Sequence, residues 1–512
     1  MSLGRLFVLT AYAASLLLSV STTARAQSQQ RILRIVAPWE ITGLDPVRSG
    51  YIFTRLQIAE TLTGADDGGL PQPQLAGSWT SSDNRLAWRF VLRPNARFHD
   101  GSPVTADAVA KALQRAWTAA GGVLVNSPVA AIEVDGKDVI IRTTKPFVSL
   151  TAFLAHSSTM VLAPSAYEGE TVKTIVGSGP YRAVDVQPPL RVEAARFDQW
   201  DGPAPRIERV TYLAVGRGET RTAMAESGQA ELVVNLPPES VDRLRRNSRI
   251  EVQVLAIPRT RTIKVNAGGP FFSDSRVRQA LSLGIDRNGI ATALLRNPGA
   301  AATQIFPPTL AEWHVPGLAP LAYDPTRAKA LLAEAGWRPG PGGVLVKDGR
   351  SFSITLRTFS DRPEQPVMAT AMQEQLRGLG IEMKVAIVNS GEIPAGHQDG
   401  TLDLALMARN FSLVPDPIGT LLQDFGPKGG DWGAMGWSNA ELIAALDGLG
   451  GVTDPRERAS LRARVATILQ SELPVIPVAW YDHGVAANKR IRGVTTDPLE
   501  LSYRISAMSW AD

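Results

Sequence analysis

The second half of the chain alternates between two hydrophobic periods. Asp324 can cap a helix that has Pro325 in its first turn and Gly336 beyond its end (DPTRAKALLAEAG). Residues 352 to 359 (FSITLRTF) read as a strand, and residues 367 to 379 as a helix stopped by Gly380. Ile381, Met383, Val385 and Ile387 then repeat every second residue, the period of a strand. Leu402 to Met407 is a further strand, and a helix starting near Asp454-Pro455 carries Leu461, Val465 and Ile468 on one face. A chain built this way sets strands side by side and packs the intervening helices against the sheet. The expected class is therefore α/β.

The first half reads mostly as β-structure. Ile32 to Val36 alternates toward a strand, and Trp88, Phe90 and Leu92 share one face of another. Asp135-Gly136 lies between β-prone stretches, where the positive φ of a tight hairpin turn is available. One helix interrupts this region, capped by Thr105, with Val109, Leu113, Ala116 and Trp117 as its apolar stripe. Gly- and Pro-rich breaks lie near 177 to 180, 201 to 205, 298 to 308, 339 to 343 and 426 to 433. There is no internal repeat.

A chain of 512 residues exceeds one ordinary core, so two or three lobes are expected. Its start reads as a secretory leader: a basic Met1–Arg5, an apolar Leu6–Val20, then Ala24-Arg25-Ala26, which predicts cleavage after Ala26. No later segment is long and apolar enough to span a bilayer. The sequence holds no cysteine, which excludes disulfides, thiolate metal sites, a cysteine nucleophile and a lipidated cysteine anchor. The mature protein is expected to be free in a Gram-negative periplasm. There are 53 basic and 49 acidic residues, and two of the basic ones lie in the leader. A balance this close to neutral argues against a nucleic-acid partner. The five histidines are scattered, without metal-ligand spacing, and no metal or cofactor is expected.

Five strings make the chain recognisable. They are LAGSW at 75 to 79, LRPNARFHDGSPVTADAV at 92 to 109, GSGPY at 177 to 181, VNAGGPFFSDSRVRQALSLGIDR at 265 to 287 and YDPTRAKALLAEAGW at 323 to 337. In this order they resemble family 5 of the extracellular solute-binding proteins, which serve ABC importers of peptides, nickel and opine-like ligands. The resemblance runs through nearly all of the mature chain. It implies a two-lobed periplasmic binding protein of type II, cluster C-like, with an extra inserted lobe and a hinge-closed cleft. On that pattern lobe I combines 31 to 64, 178 to 260 and 484 to 512. The inserted lobe is 65 to 177, and lobe II is 261 to 483. The implied partners are a small-molecule ligand and an inner-membrane permease and ATPase, with the binding protein itself a monomer. His99, in FHDGSPVT, is read as a hydrogen-bonded structural histidine.

The departures from the family concern the ligand. The peptide branches carry an aspartate three residues before a DP pair; in MARNFSLVPDP (407 to 417) that position is Leu413, which cannot pair with an ammonium group. The nickel branch has a histidine-arginine pair in the same stretch; here Ala408 replaces the histidine and Arg409 keeps the arginine. An arginine suits a carboxylate, because its planar fork donates two hydrogen bonds. The expectation is that Arg409 and Asn410 bind a ligand carboxylate or carbonyl, with Asp416 or Asp361 available to an amine. Trp39, Trp432 and Trp437 are candidate apolar walls, and Phe411, Thr358 and Arg362 are candidates from their strand-end positions. The ligand is then an oligopeptide, an opine or a related carboxylate-bearing solute, with a metal–metallophore complex as the alternative. A sensor or chaperone role would use the same cleft. The hydrolase, zinc-helix, phosphate-loop and dinucleotide motifs are all missing from the sequence, so an enzyme is not expected.

Overall fold

The computed structural model describes residues 31–427 and 429–511; the leader lies outside the described residues. Its centre is a ten-stranded mixed sheet. From one edge the strands are Tyr181–Gln187, Arg191–Arg196, Arg209–Ala214, Ile32–Ala37 and Leu232–Val234. Two long strands follow, Val475–Asn488 and Ile250–Val265, and then Leu404–Asn410, Ser353–Thr358 and Glu382–Ile387. Ile32–Ala37 runs parallel to both of its neighbours, as does Ser353–Thr358 on the other side.

The long strands join the two parallel sets. They pair antiparallel over most of their length, with register shifts between Ile257 and Thr260 and between Arg261 and Thr262. Extra residues of this kind bend a strand and increase its twist, so the pair turns at its middle. Leu232–Val234 is antiparallel to one long strand and Leu404–Asn410 to the other. The carboxyl ends of the two parallel sets therefore point toward each other across that turn. Ligands of open α/β sheets bind beyond such ends.

The sequence-level elements appear with small shifts. The helix expected at 367 begins at Glu364, because Pro366 is tolerated in a first turn, and it ends at Arg377. The strand expected at 402 to 407 runs from Leu404 to Asn410, and Thr401 still belongs to a turn fixed by Asp399. Asp324 and Asp454 cap their helices by accepting backbone N–H bonds, as Thr105 does for Ala106–Thr118. That last helix packs on a separate four-stranded sheet in which Asp138–Thr143 pairs with both Ala87–Leu92 and Val129–Asp135. Phe90, Phe98 and Leu113 are fully buried between helix and sheet, and burial of such a side chain contributes about 1.5–3 kcal/mol.

Two joints hold this second sheet in place. On one side Gly177 and Gly179 pass so close to the chain that a Cβ would lie 2.2 Å from the carbonyl oxygens of Ile58 and Gln57. His99 lies here too, bonded through Nε2 to the Gly179 carbonyl at 3.0 Å and set edge-on to Phe197. On the other side Val148 donates its N–H to the Gly450 carbonyl at 2.8 Å, in the last turn of the helix Ala440–Gly451. Lys145 pairs with Asp447 beside it. The apolar core is continuous across this second joint, from Phe147 and Phe153 to Leu446 and Leu449.

Candidate ligand site between the strand ends

Asn235 follows Leu232–Val234 directly, and Asp361 and Arg362 follow Ser353–Thr358. Asn235 Nδ2 donates to the Asp361 carbonyl at 3.3 Å, and its Oδ1 accepts from the Tyr481 hydroxyl at 2.6 Å. Arg362 donates to the same hydroxyl at 3.0 Å. Polar contacts thus run from one set of strand ends to the other, through a tyrosine on a long strand.

Tyr481 stands among cations. The guanidinium carbons of Arg261, Arg259 and Arg362 lie 4.0, 5.1 and 5.3 Å from its ring centre, an arrangement stabilised by the ring quadrupole. Arg261 donates to Glu364 at 2.9 Å. Arg259 pairs with Glu500 Oε2 at 2.5 Å, and Asn410 donates to that oxygen at 2.7 Å. Arg55 donates Nε–H to the backbone carbonyl of Glu500 at 2.7 Å and stacks 4.4 Å over Trp39. Four arginines face three carboxylates, those of Asp361, Glu364 and Glu500.

Burial and this excess of positive charge set the proton affinities. Burial favours a neutral Glu500, but the surrounding cations, Arg259 foremost, overrule it and hold the carboxyl down to about 2. Burial and then Arg362 lower Arg259 to about 10. Burial pushes His483, beside Glu500, down to about 4, so it is neutral at pH 7. Burial raises the Asp361 carboxyl against the pull of Arg362.

Of the residues singled out in the sequence, Trp39, Asp361, Arg362 and Asn410 meet in this cluster. Arg409 points the other way from its strand and forms a bidentate pair with the buried Asp424, at 2.5 and 2.7 Å. Thr358 is buried and donates to the Leu406 carbonyl at 3.1 Å, between two strands. Phe411 packs edge-on to Phe306 in the core. Asp416 accepts from Ser149 Oγ at 2.6 Å and lines a groove of about 670 Å³ with Trp313, Arg458 and Arg462. Trp432 packs edge-on to Phe359, and Trp437 donates Nε1–H to Glu472 at 2.6 Å while packing against Phe425. Among the described residues no group of three or more histidine, cysteine or acidic side chains could hold a metal ion.

Sequence reasoning missed Arg55, Arg259, Tyr481 and Glu500. One signal was available: Arg259 and Arg261 stand two residues apart, on one face of the strand Ile250–Val265. Lys264 on the same strand is also buried. Its ammonium donates to the carbonyls of Gly430 and Gly433 at 2.8 and 2.7 Å and lies 2.7 Å from His397 Nδ1. Burial lowers it to about 7, against the attraction of Asp424 and Asp431.

Comparison with known proteins places this architecture. The profile of the bacterial extracellular solute-binding proteins, family 5, matches residues 71–432. The glutathione-binding protein GsiB of Escherichia coli K12 is 28% identical over 326 residues, covering 62% of this chain and 61% of that protein. GsiB of Salmonella typhi is 25% identical over 449 residues, covering 84% and 85%. The oligopeptide-binding protein AppA of Bacillus subtilis, solved with a nonapeptide, superposes with a TM-score of 0.84 at 22% identity, covering 94% of this chain and 99% of that one. The two-lobed binding-protein fold expected from the sequence is thus the fold observed. No helix among the described residues is long and apolar enough to cross a membrane. The chain belongs to the bacterial extracellular solute-binding proteins, family 5.

Proposed function

We propose that this protein is the periplasmic substrate-binding component of an ABC importer, and that it captures a small carboxylate-bearing solute and delivers it to an inner-membrane permease and ATPase without chemical change. One lobe is 31 to 64, 178 to 260 and 484 to 512, carrying 65 to 177 as an insert; the other is 261 to 483. The long strands are the hinge. Hinge closure around a ligand is the established motion of periplasmic binding proteins as a class. Solute that touches both lobes only when they are closed shifts the population toward the closed form.

One observation carries this reading. The contacts from Asn235 through Tyr481 to Arg362 bridge the facing strand ends, inside a buried cluster with more arginines than carboxylates. Such a cluster favours an anionic group, because an added carboxylate offsets uncompensated charge in a medium of low dielectric. Arg409 and Asn410, the pair picked out by the sequence, are committed to Asp424 and Glu500. The support for ligand contact therefore moves to Trp39, Asp361 and Arg362. The relatives named for glutathione and the fold neighbour holding a nonapeptide fit a ligand of peptide type.

The test is the mass of the small molecule that co-purifies with protein exported to the periplasm, followed by calorimetric titration with glutathione and a panel of dipeptides and tripeptides. A saturable 1:1 heat with one panel member, weakened at least tenfold in Arg362→Ala, is expected. If no panel member binds and no small molecule co-purifies, solute capture at this site is wrong.

A further inference from the structure

The parallel strands Ile32–Ala37 and Leu232–Val234 turn their carboxyl ends toward the Tyr481 cluster and their amino ends toward a groove of about 1070 Å³. Five cations line this groove, Arg31, Arg34, Arg249, Lys489 and Arg490, against one carboxylate, that of Glu231. Glu231 is buried, with 1% of its side chain exposed, and holds both Arg34, at 2.7 Å, and Arg490, at 3.0 Å. These two arginines are thus oriented by a carboxylate beneath them, while 40% and 61% of their side chains stay exposed. Arg31 and Arg249 are exposed and tied to backbone carbonyls, of Ala511 at 3.3 Å and Glu226 at 3.0 Å. Lys489 is exposed beside them. The nearby Glu226 carboxylate is taken up by Arg243 at 2.9 Å. Asp512 follows Ala511, lies outside the described residues and adds at most two more carboxylates. With both counted, the cations still outnumber the carboxylates five to three. Like charges held together repel one another, and an anionic partner offsets that repulsion.

Position and lining select the partner. The groove is built from segments 31–34, 227–249 and 488–511, all in one proposed lobe. Hinge motion leaves its shape unchanged, so a permease that distinguishes open from closed protein has nothing to read there. Its exposed charges are of one sign, which matches a uniform anionic surface and not the mixed charges of a folded protein partner. Ile32, 44% exposed, and Trp510 also line it, with the Arg31 guanidinium 5.9 Å from the Trp510 ring centre. Tryptophan beside basic side chains suits the headgroup layer of a bilayer. We infer that this groove is a docking surface for an acidic phospholipid membrane, whose headgroup phosphates it binds. Contact of this kind keeps the protein at the membrane in both its open and its closed form. It goes beyond solute capture and does not depend on which solute is bound.

The probe is a vesicle. Exported protein is sedimented at low salt with vesicles of phosphatidylcholine alone and with vesicles in which about a third of the lipid is phosphatidylglycerol. Binding to the acidic vesicles should be stronger by about tenfold or more and should weaken as salt rises. Arg31→Gln, Arg249→Gln and Lys489→Gln together remove three exposed charges and leave Glu231 paired with Arg34 and Arg490. This variant should bind acidic vesicles no better than neutral ones while melting at the wild-type temperature. Lys329→Gln, Arg350→Gln and Lys384→Gln together remove the same charge from exposed positions on the other proposed lobe, and should leave vesicle binding unchanged. Equal binding to both kinds of vesicle, wild-type binding by the groove variant, or an equal loss in the control variant overturns the docking surface. Two soluble anions complete the test. Hexaglutamate that binds as tightly as the acidic vesicles at the same salt would mark the groove as a site for an acidic protein segment and overturn the inference. Millimolar inorganic phosphate that displaces the vesicles at constant ionic strength would mark it as a site for a small free anion, with the same consequence.

Discussion

Lys264 shows how a single buried charge makes the fold sensitive to pH. Its ammonium has three partners, yet burial brings its pKa from the usual 10.5 down to about 7. Between those values the unfolded chain binds more protons than the folded one, so stability rises with pH across the window. Lys264→Met should flatten that rise, as measured by urea unfolding between pH 7 and 10. His99, His156 and His483 act with the same sign at lower pH. Burial holds each near 4 instead of 6.5, so stability is lost as pH falls from 6.5 toward 4, by about 3 kcal/mol for each at most. Glu500 extends the loss further down, since its advantage is present above the usual glutamate value of 4.5 and disappears as pH falls through about 2. Denaturant midpoints that stay constant from pH 7 to 4 would contradict the burial of these histidines. Arg409 carries a separate expectation. Arg409→Ala strands the buried Asp424 carboxylate and should cost about 3–5 kcal/mol, with ligand affinity changing only through stability.

At the scale of elements, backbone joints matter more than single helices. Thr105→Ala removes one cap from Ala106–Thr118 and should cost about 1 kcal/mol. Gly177→Ala or Gly179→Ala meets a backbone carbonyl 2.2 Å away, with no flexible side chain to give way. Each should cost about 2–3 kcal/mol or prevent the second sheet from docking, visible as a split or lowered thermal transition. The caps were legible in the sequence because a cap is a local pattern: an acid or threonine followed by helical period. The glycines were legible only as a turn. Their actual constraint, the carbonyls of Gln57 and Ile58, lies some 120 residues earlier in the chain.

At the scale of the whole molecule, the proposed insert, 65 to 177, touches both sides of the proposed cleft. It is tied to one side through Gly177, Gly179 and the bridge between Glu60 and Val161, and to the other through Val148, Ser149 and Lys145. If the hinge lies in the long strands, the second joint must part on opening. The absence of cysteine makes this directly testable. Joining Lys145→Cys to Asp447→Cys with a short bis-thiol reagent should slow solute exchange at least tenfold, measured by dilution of labelled ligand. Exchange at the wild-type rate would mean that the two segments travel as one body and that the hinge lies elsewhere.

The sequence by itself determined the class, the family and the order of the elements, because periodicity, caps and the five motifs are all written within short stretches of chain. Set against the family's pattern, it also led to the expectation that Leu413 and Ala408 stand where the peptide and nickel branches carry their anchors. What Arg409 and Asn410 pair with was decided only in the tertiary structure. Neighbours on one strand point to opposite faces, so Arg409 meets Asp424 while Asn410 meets Glu500 from the far end of the chain. The cluster around Tyr481 gathers residues from Arg55 to Glu500. Its charge balance exists only once the long strands have turned and brought the two sets of strand ends together, and no local pattern records that meeting.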